Sequence, residues 1–275
     1  MANINHLSGE PPAGGSACPP EEVGAVGLVY VADGEEGPMV ADGEEGPMAA
    51  AAAGQRVERP DDRPPWIVVD HHVHSVIVAK WPGRLLKVRV LRSAAEQPLV
   101  HAGYTRATAV DVLEALPLAM LFGSSGEAVV ELLNAIPGLS ATVIAALGEQ
   151  VDAQAAAVHN AAWDRWLARV DPGSPFIGEE HAGVLAMGAH ASRSPVGAAP
   201  SILHAVLRRH ARDTAGEGAF IEDEGEPVFN ASWSRAAACL QHALIGVGAE
   251  ESLLTAAERA VLVRAWKGTR RAPAP

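Results

Sequence analysis

The periodicity of this chain changes once, and that change limits the folds open to it. Before residue 92 the apolar segments are short and rich in β-branched residues; from Thr108 onward they recur at helical spacing. A chain that passes from strands to helices without alternating between them is expected to be α+β. The architecture expected is a short N-terminal antiparallel sheet of about three to five strands, packed with a mainly helical C-terminal body of about five to seven helices. Trp66–Val69, Val76–Trp81 and Leu85–Leu91 read as strands, and Val23–Ala32 as another short one. Pro82 and Gly83 suit the two central positions of a type II turn, which predicts a hairpin of the second and third of these. That register sets Ile77 opposite Val88 on an inward face and leaves His74, Lys80, Lys87 and Arg89 on the other.

The helical half is punctuated by caps and breakers. Ala109–Leu116 reads as a short helix stopped by Pro117. Ser124 and Glu127 have the spacing of a capping box opening a helix to Ile136, and Thr255 and Glu258 repeat that spacing before a last helix ending at Gly268. Between them, Ser140 predicts a cap for a helix to Gly148, and further helices are expected over Val151–Val170, Pro200–Thr214 and Ser232–Ile245. Phe220–Phe229 reads as an acidic loop or hairpin. Only 12 of the 275 residues are aromatic, so Ala, Val and Leu must fill most of the core, with Trp233 and Trp266 expected inside it.

Residues 1–65 read as an acidic, low-complexity and largely disordered tail, and 66–270 as a single α+β globular domain. The tail holds an exact duplication: Val31–Met39 and Val40–Met48 both read VADGEEGPM, too few copies for a solenoid. It carries 12 acidic and 3 basic side chains, whereas residues 66–275 carry 21 and 18, so most of the net charge of −12 lies in the tail. That balance argues against nonspecific nucleic-acid binding, which needs a basic surface. Two distant cysteines, Cys18 and Cys239, exclude a disulfide framework and a four-cysteine zinc site, and suit a reducing compartment. With no apolar leader, and with Asn134, Pro137 and Gly138 interrupting the charge-free stretch Leu132–Gly148, the expectation is a cytoplasmic protein with no membrane partner.

The most pointed chemistry lies in Asp70-His71-His72-Val73-His74-Ser75. In an extended segment Asp70, His72 and His74 share a face, and imidazole with carboxylate suits a divalent transition metal such as zinc, nickel, iron or manganese. Asp70, His72, His74 and Ser75 resemble the opening motif of metal-dependent hydrolases of the PHP and amidohydrolase types, in which the two histidines bind metal at the end of the first strand of a β/α barrel. The likeness covers about six residues, and the legible strands fall short of the roughly eight such a barrel alternates with helices. Glu180 and His181, in a long Gly- and Pro-rich stretch, are the candidates to complete the ligand set; His101 and His190 lack a diagnostic spacing.

Two other patterns bear on partners. Trp163 and Trp166 share a helix face with His159 and read as core or as a protein-docking surface. Arg208, Arg209 and Arg212, with His210, form a basic run that reads as a solvated face and could also receive the acidic residues 222–226. The function expected is that of a cytoplasmic accessory or interaction protein, with metal handling through the His-rich strand as one way it would work. The alternative is a metal-dependent hydrolase built on Asp70, His72 and His74, with metal-bound water as nucleophile.

Overall fold

A computed structural model describes residues 24–33, 48, 50–78, 80–97, 103–170 and 194–269. The architecture is α+β: an antiparallel five-stranded sheet in the N-terminal half and seven α-helices in the C-terminal part, among the described residues. The strands are β1 (Val26–Ala32), β2 (Arg56–Glu58), β3 (Ile67–Asp70), β4 (Gly83–Ser93) and β5 (Tyr104–Leu116). They run in the order β2-β5-β3-β1-β4, and β4 pairs again with β5, so the sheet closes on itself as a small barrel. Closure leaves few open edges, and the inward-facing Val29, Val31, Val69, Leu86, Val88 and Val110 fill the interior.

Alternation along the strands explains how the two halves meet. Successive residues point to opposite faces, so Leu86 enters the barrel while its neighbour Leu85 joins the helical core. Leu28 and Tyr30 of β1 likewise pack outward against the helices. The helices are α1 (Gly126–Ala135), α2 (Ala141–Gly148), α3 (Ala153–Val170), α4 (Ala199–Ala215), α5 (Ala231–Gly248), α6 (Ala256–Leu262) and α7 (Arg264–Thr269). Buried α5 is their hub, packing on α1, α2, α4 and α6. Local chemistry sets several ends. Ser140 accepts from the Val143 N–H, Asn230 from Ser232 and Trp233, and Thr255 with Glu258 closes a complete capping box. Trp233 and Trp266 are buried in this core.

Four sequence expectations are corrected. The hairpin over 76–91 does not form: residues 76–78 have no regular structure, and Val76 and Trp81 join the helical core. Gly83 instead starts β4 against β1, where any Cβ would lie 2.5 Å from Tyr30 Oη and the Val31 carbonyl. Residues 109–116 are not helical but continue β5, because their backbone pairs with β2 and β4; such pairing outweighs local propensity. Ser124 caps nothing: the N-cap of α1 is Ser125, without a side-chain bond. The last helix breaks at Val263 into α6 and α7.

The sheet also takes in two pieces of the 1–65 stretch, β1 and β2, and with them the ends of the duplication. Val31, from the first copy, and Met48, the last residue of the second, are both buried in the barrel core. Arg84 pairs with Val31 in the sheet and donates to the carbonyls of Ala51 (2.8 Å) and Met48 (3.5 Å), so these anchors lie close together. One copy of the nonapeptide would supply both anchors, a valine at the strand and a methionine at the return. Deletion of residues 40–48 is therefore expected to change stability by less than about 1 kcal/mol, since loop-closure cost grows only logarithmically with length. Urea unfolding of the two forms checks this; a loss of several kcal/mol would show that the second copy makes contacts of its own.

Candidate functional site

The segment Asp70–Ser75 leaves the barrel where β3 ends. Asp70 closes the strand, paired to Leu28 of β1 and Tyr104 of β5, and its side chain is buried. Burial pushes its carboxyl up to about 7, and among the described residues no cation or hydrogen-bond donor offsets that cost. His71 is exposed but reaches back, with Nε2 2.7 Å from Oγ1 of buried Thr105. Val73–Ser75 then turns as one short 3-10 segment. The turn breaks the alternation expected of an extended strand. His72 and His74 still come together, their rings parallel with centroids 5.1 Å apart, but both are exposed while Asp70 is not.

Among the described residues, this arrangement does not assemble Asp70, His72 and His74 into the ligand set that the motif's resemblance implies. Among the described residues no group of three or more His, Cys, Asp or Glu side chains is placed to hold a metal ion. A catalytic zinc needs about three protein ligands at ~2 Å, and here two stacked imidazoles stand without the carboxylate. Glu180, His181, His101 and His190 lie outside the described residues. The face that His74 was expected to share with Lys87 and Arg89 does not form either, since His74 lies in the 3-10 turn and not on a strand paired with β4; Lys87 pairs with Glu114 at 2.9 Å.

The same turn does shape a cleft. Val73, His74 and Val76 form one side of a recess of about 340 Å³ between the barrel and the helical body. Met120, Leu121 and Phe122, from the 3-10 segment Leu118–Ser125, form the second side. Trp166 of α3, residues 194–198, Gly248 at the end of α5, and Glu250 and Leu253 beyond it complete the recess. Two glycines let these parts approach. At Gly126 a Cβ would lie 1.9 Å from the Ala119 carbonyl, and at Gly248 one would lie 2.5 Å from Val129. Ser194 is fixed by donating to the Gly197 carbonyl at 2.6 Å, which holds the 194–198 wall.

No family model matches this chain, and no curated protein or solved structure matches it either. The site is therefore read from its own geometry. Among the described residues its walls are mostly apolar, and the ionisable side chains on them are those of His74 and Glu250, both exposed. A mostly apolar pocket with a few placed polar groups is the usual form of a binding site. Trp166, which the sequence offers as core or as a docking residue, lies on the wall; Trp163 meets it edge-on from behind, centroids 5.6 Å apart, and both are half-buried. Sequence reasoning missed Met120, Phe122, Leu253 and Glu250. Their positions span 134 numbers of chain, and only the unusual placement of Trp166 among scarce aromatics pointed toward them.

The basic run on α4 meets the hairpin that carries residues 222–226, and the contacts are to a ring and a backbone oxygen. Arg208 and Arg212 lie over the Phe220 ring, and Arg208 donates to the Pro227 carbonyl at 2.9 Å. The run thus fastens the β-hairpin of Phe220–Asp223 and Glu226–Phe229 through an aromatic face and a backbone oxygen. Among the described residues no single helix is long and apolar enough to cross a membrane.

Proposed function

We propose that the chain is an accessory protein that binds a partner's peptide segment in this cleft, and that the segment carries a large apolar side chain next to Lys or Arg. The observation that carries the reading is an apolar recess with a carboxylate at its mouth. Part-exposed Trp166 offers the surface for the apolar side chain over a floor of buried Phe122 and Leu253, and Glu250 offers the charge for its basic neighbour. Met120 keeps 46% of its surface exposed at the same place, a flexible apolar contact of the kind that adapts to partners. A net charge of −12 adds a long-range field that draws in basic partners. Cys239, a buried free thiol, suits the reducing cytoplasm as the place of action.

The test uses acetylated, amidated tetrapeptides that pair Lys or Arg with Trp, Phe or Leu, and matching peptides with Glu in the basic position. Backbone amide shifts around the cleft are followed by NMR. The basic peptides are expected to bind and the acidic ones to fail. Trp166→Ala is expected to weaken binding at least about 10-fold, as truncating a central aromatic does. Glu250→Gln is expected to weaken it by roughly two- to fivefold, the scale of an exposed ion pair. Acidic peptides binding as well as basic ones, or shifts lying outside the cleft, would overturn the reading.

A further inference from the structure

Behind Trp166, α3 meets α5 through two imidazoles. The rings of His159 and His242 are 5.0 Å apart between centroids and tilted by 49°. Trp163 donates its indole Nε1–H to Nε2 of His159 at 3.2 Å. An indole nitrogen can only donate, so this bond exists only while Nε2 of His159 carries no proton. The other ring nitrogen, Nδ1, lies 3.3 Å from Oδ1 of Asn160, an acceptor, which places the single proton of the neutral ring on Nδ1. Protonation of His159 turns its acceptor into a donor facing a donor. It also sets a cation beside His242.

We propose that the His159–His242 pair is a protonation-sensitive seam, which holds Trp163, and through it the Trp166 wall of the cleft, in place only while Nε2 of His159 is bare. The proposal rests on the cleft reading for its consequence but not for its mechanism. Of the groups around the pair, the Asn160 amide oxygen favours a proton on His159, but burial outweighs it. Asp152, just ahead of α3, acts on His242 but is engaged by Arg264 of α7 at 3.0 Å. Cys239, one turn before His242, directs its thiol at the carbonyls of Leu147 and Gln150. Helix α2 carries no ionisable side chain. From α6, Glu258 is bound by Arg165. Burial and mutual repulsion accordingly push the proton affinity of His242 down, and burial does the same for His159.

The chain reads Trp163 bound and Trp166 seated at neutral pH, and both released under mild acid. The experiment is NMR on the whole chain labelled with ¹⁵N-histidine and 5-fluorotryptophan, titrated from pH 8 to 5, with each tryptophan signal assigned by its Trp→Phe variant. Neutral His159 is expected to carry its proton on Nδ1. The Trp163 and Trp166 signals are expected to move together with the His159 titration, at a midpoint below the ordinary histidine value, while the backbone far-ultraviolet signal stays constant. His159→Gln keeps an acceptor for Trp163 at every pH, and is expected to hold both signals still. A neutral His159 protonated on Nε2, tryptophan signals that ignore its titration, or signals that still move in His159→Gln would each overturn the seam. The tautomer and titration need no variant that might fail to fold. None of the readouts involves a peptide, so a failure here is distinct from a failure of the cleft to bind.

Discussion

Asp70→Asn is expected to stabilise the protein at pH 8 and to leave it nearly unchanged at pH 4. The reason is the location of this carboxyl, at the end of β3 between β1 and β5, with 8% of the residue's surface exposed. Burial raises it from 3.8 to about 7. A group with that shift keeps its proton in the folded chain over a range where the unfolded chain has lost it. Stability from this group is fully present below about 4 and is lost as pH rises through about 7, because the folded state binds more protons across that window. The gap sets an upper bound of roughly 4 kcal/mol, and relaxation with some access of water brings the expected effect to about 2–4 kcal/mol.

Asparagine keeps the shape and removes the charge. For a chain of this size that corresponds to a gain of about 4–15 °C in Tm at pH 8. The histidines displaced downward by burial, His159, His204 and His242, act with the opposite sign, since they must take up protons as the pH falls. The measurement is thus the difference in Tm between wild type and Asp70→Asn at each pH, in which those groups cancel. A difference that grows from pH 4 to 7 and then levels off is the expected curve. A flat difference would mean that the carboxylate finds a cation in the folded chain.

How much of this could be read from the sequence follows from the range of the interactions involved. Ser140, Pro200 and the Thr255–Glu258 pair marked their helices correctly because a cap is made within three residues of itself. Residues 109–116 misled because DVLEAL has helical spacing, while the partners that make it a strand, β4 and β2, lie about 20 and 50 residues earlier. Val76–Trp81 misled in the opposite way. Its β-branched residues suit a strand, yet Val76 and Trp81 are used to bury the helical body. The histidine motif was legible as a pair, since His72 and His74 do meet, but not as a triad, since the turn at Val73–Ser75 separates them from buried Asp70. The cleft was hidden because its walls come from five separate stretches, and no local pattern encodes their meeting.

The join between barrel and helices depends most on Trp81, and Trp81→Ala is expected to be among the most damaging single changes. The side chain is 3% exposed. Its indole N–H donates to Oδ1 of Asn134 on α1 at 2.9 Å, its ring meets Phe122 at 5.8 Å, and its carbonyl receives Arg209 of α4 at 3.2 Å. One residue, two positions ahead of β4, thus ties the barrel to α1, to α4 and to the floor of the cleft. Truncating a buried tryptophan costs about 3–5 kcal/mol from lost burial and the cavity left behind, or roughly 6–20 °C in Tm for a chain of this size. Trp81→Phe keeps most of the apolar volume and loses the bond to Asn134, so its cost should be about 1–2 kcal/mol. Because Phe122 leans on the lost ring, Trp81→Ala should also weaken peptide binding in the cleft, while Trp81→Phe should spare it. Calorimetry and peptide titration of the two variants separate these effects. Equal losses of stability in both would show that the indole hydrogen bond, not the buried ring, holds the join.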